Sequence, residues 1–150
     1  MGSNLEEVID HVCDLLIDSP VIHTDETGMK VGKAKFWLHV VSTKNLILYA
    51  AFFQKRGREG INSLGVLPSF FGIAVHDFWE SYLKSPCKHA YCIAHILREL
   101  TRVEEETDQQ GVVKMRNLLV QAKKTTKILL KREKRYQLSF SGILMNGTLN

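Results

Sequence analysis

The chain has 150 residues, 45% of them hydrophobic and 24% charged, with a formal net charge of +4. That balance fits one soluble mixed α/β (α+β) domain with a real core and excludes wholesale disorder. No apolar run is long enough to cross a bilayer and no secretion signal opens the chain, so a cytoplasmic protein with no membrane partner is expected.

Charge is unevenly spread. Residues 1 to 20 carry five acids (Glu6, Glu7, Asp10, Asp14, Asp18) and no Lys or Arg. Residues 112 to 136 carry nine bases against Glu133 alone, a block that suits either a polyanionic partner or a solvated helix face. The three cysteines, Cys13, Cys87 and Cys92, lack the spacing of a disulfide framework, so reduced thiols are expected.

In chain order, Ser3 and Glu6 form a capping-box pattern, and Leu5, Val8, Ile9, Val12 and Leu16 recur on one helical face. An amphipathic helix over 4–17 follows, and Ser19-Pro20 breaks it. The first strand starts at Val21. In an extended chain Val21, His23 and Asp25 share one face and Ile22, Thr24 and Glu26 the other, so Asp25 and Glu26 do not readily serve one metal. Residues 28–35, with two glycines and three lysines, read as a loop or hairpin arm. Residues 36–42 and 46–53 read as apolar strands joined by a short polar connection, giving an antiparallel meander.

Lys55-Arg-Gly-Arg58 is a basic turn, and 59–67 is expected to be helical up to Pro68. Residues 72–77 make a fourth strand, apolar enough to be buried on both faces. Residues 79–84 form a short helix or turn. From Cys92 the period becomes helical, with Ile93, Ile96, Leu97, Leu100 and Val103 on one face. After a polar break at 104–111, a second long helix is expected over about 112–135. The expected organisation is a helix (1–18), a sheet (19–91), a two-helix region (92–136) and a weakly ordered tail (137–150).

Three strands in a meander, a helical connection and a fourth strand, with Asp25 and Asp77 closing the first and fourth, is the layout of an RNase H-like sheet. Two carboxylates held close repel each other unless a cation lies between them, so Mg²⁺ or Mn²⁺ is the natural occupant. In such sites two ions about 4 Å apart activate the attacking oxygen and stabilise the leaving one. An aspartate that merely caps the turn after a strand is the plainer alternative.

Val21-Ile-His-Thr-Asp-Glu-Thr-Gly28, Phe36-Trp-Leu-His-Val-Val-Ser42, Lys55-Arg-Gly-Arg-Glu59, His76-Asp77 with Trp79 and Tyr82, and His89-Ala-Tyr-Cys-Ile-Ala-His-Ile-Leu-Arg-Glu-Leu100 stand in this order. Together they resemble the bacterial insertion-sequence transposases of the group numbered sixty-six, over roughly residues 15 to 135. The resemblance implies a DDE transposase with an RNase H-like catalytic core, in which Asp25 and Asp77 match the first two catalytic, metal-binding acids. It implies Mg²⁺ or Mn²⁺ as cofactor. Transposon-end and target DNA are the implied partners, with a homo-oligomer or the full-length transposase as possible protein partners.

The third acid that the resemblance implies is a Glu in an Asn-x-x-Glu-Arg block, and no such block occurs among these residues. The expectation is therefore an incomplete, truncated core followed by long helices, inactive alone. A non-catalytic DNA- or transposase-binding remnant of a decayed element is the alternative. Glu99 lies on a helix beyond Asp77, but the family pattern separates it from the catalytic Glu.

Cys87, His89, Cys92 and His95 fall within nine residues. They are open to three readings: packing and hydrogen bonding, DNA-strand positioning with Cys92 and His95 as accessory residues, or zinc. His76 adjoins Asp77 and is a candidate to orient it. Lys30, Lys55, Arg56, Arg58, Arg98 and Arg102 are candidate phosphate contacts, with ordinary surface charge as the alternative.

Overall fold

A computed structural model describes residues 3–53, 56–107 and 109–145, with side chains described for 5–50, 56–107 and 109–133. The chain divides into two units, Met1–Cys92 and Ile93–Asn150. Among the described residues no helix is long and apolar enough to cross a membrane.

The first unit opens with α1 (Ser3–Ile17), whose Val12, Cys13, Leu16 and Ile17 meet the core while Leu5, Val8 and Ile9 stay exposed. Only the last turns of the predicted apolar stripe are therefore used. The Ser3 capping contact lies outside the described side chains. Three strands follow: β1 (Val21–Val31), β2 (Ala34–Ser42) and β3 (Ile47–Phe53). Residues 28–35 are the tip of the β1–β2 hairpin, turned at Gly32, whose φ of 61° suits a residue without a Cβ.

From β3 the chain crosses one face of the sheet through α2 (Arg58–Asn62) and a 3₁₀ turn at Leu67–Ser69. Pro68 lies inside that turn rather than ending a helix. The chain then enters β4 (Ile73–His76), passes a second 3₁₀ turn at Tyr82–Lys84, and forms β5 (Lys88–Tyr91). The strand order is β3-β2-β1-β4-β5. The first three strands are antiparallel, while β4 runs parallel to β1 and β5 parallel to β4. This is the RNase H-like order and direction set, with β1 and β4 central.

One face of this sheet is covered. Ile22, Thr24, His39, Val41, Ala74 and His76 are buried there beneath Leu16, Ile61, Leu64, Val66, Leu67 and Phe70. Gly60 of α2 lies directly on the His39 ring, where any Cβ would collide with Nε2. The opposite face leaves Val21, Ile47, Tyr49 and Ile73 exposed. β4 is therefore buried on one face only, because the chain crosses the sheet on a single side.

The second unit pairs α3 (Ile93–Glu106) with α4 (Gln110–Met145). Arg116 binds Glu104 across them at 2.6 Å. Helix α4 runs through Tyr136 to Met145, where the sequence predicted a weakly ordered tail; no proline interrupts 110–145, and propagation costs little once a helix has nucleated. Residues 146–150 lie outside the described residues.

Candidate metal centre on β1 and after β4

The parallel register pairs Val21 with Ile73, Ile22 with Ala74 and His23 with Val75. Asp25 lies within β1, which runs on to Val31 rather than closing at Asp25 as the sequence suggested, because residues 28–31 stay paired with β2, and Asp77 directly follows the last residue of β4. Alternation puts Asp25 on the open face with Val21 and His23. Each carboxylate is anchored by the chain that follows it. Asp25 Oδ1 accepts the Glu26 N–H at 2.9 Å, and Asp77 Oδ1 accepts the Trp79 N–H at 2.9 Å. A pocket of about 120 Å³ opens beside Asp25, lined also by Glu26, Thr27, Leu38, Val40 and Tyr49.

The neighbouring carboxylate has the opposite fate. Glu26 points to the covered side, its side chain 1% exposed, and Oε1 receives Arg56 Nη2 at 2.7 Å and Nε at 3.1 Å. Its other oxygen accepts the Tyr82 hydroxyl. Burial raises the Glu26 pKa, Tyr82 and Arg56 pull it back, and the Asp77 charge raises it further. Burial, together with the hydrogen bond and charge of Glu26, raises the Tyr82 phenol well above its ordinary value.

His76, fully buried, stacks on Tyr82 with ring centroids 4.9 Å apart. Its Nδ1 bonds the Asp77 carbonyl, and a carbonyl only accepts, so that nitrogen carries the proton. Nε2 therefore accepts from His89 Nδ1 at 2.9 Å in the neutral ring. Burial keeps His76 neutral by lowering its pKa, with a smaller push from His89. His76 thus bonds the backbone carbonyl of Asp77, not its carboxylate.

The remaining candidates separate. Cys87 is buried at the foot of β5, and Cys92 reaches His76 through its backbone, with N–H to the His76 carbonyl at 2.7 Å. His95 belongs to the second unit, on α3. Among the described residues no three His, Cys, Asp or Glu are grouped to hold a metal, so the zinc reading of residues 87–95 gains no support.

Lys30 sits at the hairpin tip opposite Lys35, and Arg58 opens α2, both exposed. Lys55 lies outside the described residues. Arg98 is exposed on α3, while Arg102 is bracketed by Glu99 and Glu106, each at 3.1 Å, whose hydrogen bonds and charges raise its pKa. Arg56 departs most from expectation, because its guanidinium, though its side chain is 43% exposed, is paired with the buried Glu26 carboxylate. Sequence reasoning also missed the Glu26–Tyr82 contact, which joins residues 56 positions apart. No local periodicity signals such a pairing.

An RNase H-ordered sheet with one acid on its central strand and another directly after the neighbouring parallel strand defines the class: the DDE-type DNA-recombining domains. The chain belongs to the IS66 transposase family, whose model matches residues 1–146. Among solved structures it is similar to the HTLV-2 integrase catalytic core domain in complex with magnesium. The trimeric form aligns at 15% identity and a TM-score of 0.40, covering 66% of this chain and 80% of that one. The dimeric form gives 14% and 0.40, covering 64% and 81%. The fold assignment stands on strand order and family, not on a likeness of this degree. No curated protein sequence matches the chain.

Proposed function

We propose that Asp25 and Asp77 supply two carboxylates of a divalent-metal centre for DNA phosphodiester hydrolysis and strand transfer, with Mg²⁺ or Mn²⁺ as the metal. The supporting observation is that β1 and β4 are parallel neighbours, so the strand that carries Asp25 runs beside the one that leads into Asp77. Hard carboxylate oxygens on rigid backbone fit such an ion, and a backbone N–H on each Oδ1 restrains the carboxylate. A bound metal would supply charge for the developing oxyanions and an activated oxygen nucleophile.

The residues around the pair position and neutralise. Glu26 takes no part as a ligand, because Arg56 and Tyr82 occupy its oxygens. At the hairpin tip Lys30 faces Lys35 directly, an arrangement that like-charge repulsion disfavours and that a DNA phosphate would relieve. Arg58 and Arg98 are further phosphate candidates.

Titration of the full chain with Mn²⁺ tests the reading: Asp25→Asn and Asp77→Asn should each abolish binding, and unchanged binding in both sinks it. None of the 150 residues matches the family's third acid, so the chain by itself is expected to perform no strand transfer. Robust metal-dependent transfer, lost in Asp25→Asn, would overturn that part.

A second reading draws on α4, where Lys114, Lys123, Lys124, Lys127, Lys131 and Arg132 are exposed. In it the chain binds DNA or an intact transposase without catalysis. A salt-sensitive DNA shift that survives both Asp→Asn changes would favour it.

A further inference from the structure

Arg56 was expected among the phosphate contacts, and its surroundings give it different work. It lies just before α2, and its guanidinium edge is forked onto Glu26 Oε1. The guanidinium carbon sits 4.4 Å from the Trp79 ring centroid and 4.8 Å from that of Trp37. A planar cation held by an edge-on carboxylate and two indole rings satisfies both of its preferred contact modes.

The partners of Arg56 are the residues that hold the two aspartates. Glu26 gives its backbone N–H to Asp25 Oδ1, and Trp79 gives its backbone N–H to Asp77 Oδ1. Glu26 belongs to β1 and Trp79 to the turn after β4. One guanidinium therefore touches the anchoring residue of each carboxylate. Tyr82 reinforces the same bridge, since its hydroxyl donates to Glu26 while its ring stacks on His76, the residue before Asp77.

We propose that Arg56 is a positioning residue that ties the middle of β1 to the turn after β4 and so sets the spacing of Asp25 and Asp77. This rests on the reading of those two residues as metal ligands. Without Arg56 the buried Glu26 carboxylate loses the forked partner that holds it at 2.7 and 3.1 Å, and its rearrangement disturbs the β1 backbone that anchors Asp25. Lysine is a poor substitute, because an ammonium has neither the fork nor the plane that stacks on indole.

The test uses the full chain and the variants Arg56→Lys, Arg56→Gln and Glu26→Gln, with Mn²⁺ affinity, DNA affinity across a salt series and far-UV circular dichroism as readouts. Arg56→Lys should weaken Mn²⁺ binding by about tenfold, the scale found for outer partners of metal ligands, with the circular dichroism unchanged. Glu26→Gln should weaken it similarly, and the double variant Glu26→Gln/Arg56→Lys should be no worse than either alone, because both break one bridge. The dependence of DNA affinity on salt should keep its slope. Unchanged Mn²⁺ affinity in Arg56→Lys, with a slope shallower by about one phosphate, would make Arg56 a DNA contact and overturn the proposal. If Arg56→Gln unfolds, Arg56→Lys and Glu26→Gln still decide. Mn²⁺ binding that Asp25→Asn leaves intact sinks the metal reading itself. Binding lost in Asp25→Asn but untouched in Arg56→Lys sinks only the role of Arg56.

Discussion

The two faces of the central sheet carry adjacent acids to opposite ends. On the covered face Glu26 is sealed under Arg56 and Tyr82, and on the open face Asp25 lines a pocket beside Tyr49. The chemistry of the two side chains differs by one methylene. What separates them is the pleat, which turns successive residues to opposite sides, and the single-sided path of residues 56–72 across the sheet. A carboxylate built into a core serves the fold, whereas one on the uncovered face lines a pocket.

The contrast is broken most directly by truncation. Phe70→Ala on the covered face should cost about 3–5 kcal/mol in denaturant unfolding, because the ring is fully buried and leaves a cavity. Tyr49→Ala on the open face, where the side chain is 56% exposed, should stay within about 0.5 kcal/mol. Equal costs would mean that the two faces are not distinct in the folded protein.

Next in size is the acid pair itself. Glu26→Gln removes the charge that Arg56 and Tyr82 address and should cost about 1–3 kcal/mol. Asp25→Asn should change stability by no more than about 0.5 kcal/mol while removing Mn²⁺ binding. A larger stability loss in Asp25→Asn than in Glu26→Gln would reverse their roles.

The smallest effect is a pH dependence. His39 is buried against Gly60 with neither ring nitrogen bonded, and burial lowers its pKa, with a further push from Arg56. Burial likewise lowers that of His76. Below the ordinary value of 6.5 the unfolded chain takes up protons that the folded chain resists, so stability falls as pH drops through that value toward the lowered folded ones. Glu26 works the other way, since its raised pKa favours the folded state as it protonates. Thermal melts between pH 8 and pH 5 should therefore show an acid limb that is shallower in His39→Leu. An identical limb in that variant would remove His39 as its source.

Much of this was legible in the sequence. Alternation along Val21–Glu26 separates Asp25 from Glu26 without any structure, and the apolar runs give β2 to β4 close to their observed bounds, while β1 runs on to Val31, past the end that its apolar run suggested. Among the described residues the strand missed is β5. Lys88–Tyr91 is only four residues long and becomes a strand by pairing with β4, so its own pattern carries no signal.

Arg56 is the clearest case of what local pattern does not hold. Within Lys-Arg-Gly-Arg it reads as one basic residue among several, and only the fold brings Glu26, Trp37 and Trp79 around it. The same holds for His76 and His89, thirteen residues apart and joined because β4 and β5 lie side by side.

By itself the sequence determined the elements, the alternation of faces and the order of blocks that places the chain in its family, because period and spacing are properties of neighbours along the chain. Tertiary structure alone decided which face is covered, that β1 and β4 lie side by side, and which cation is bound to which acid. Those are long-range pairings, set by strand register and burial rather than by any residue's immediate neighbours.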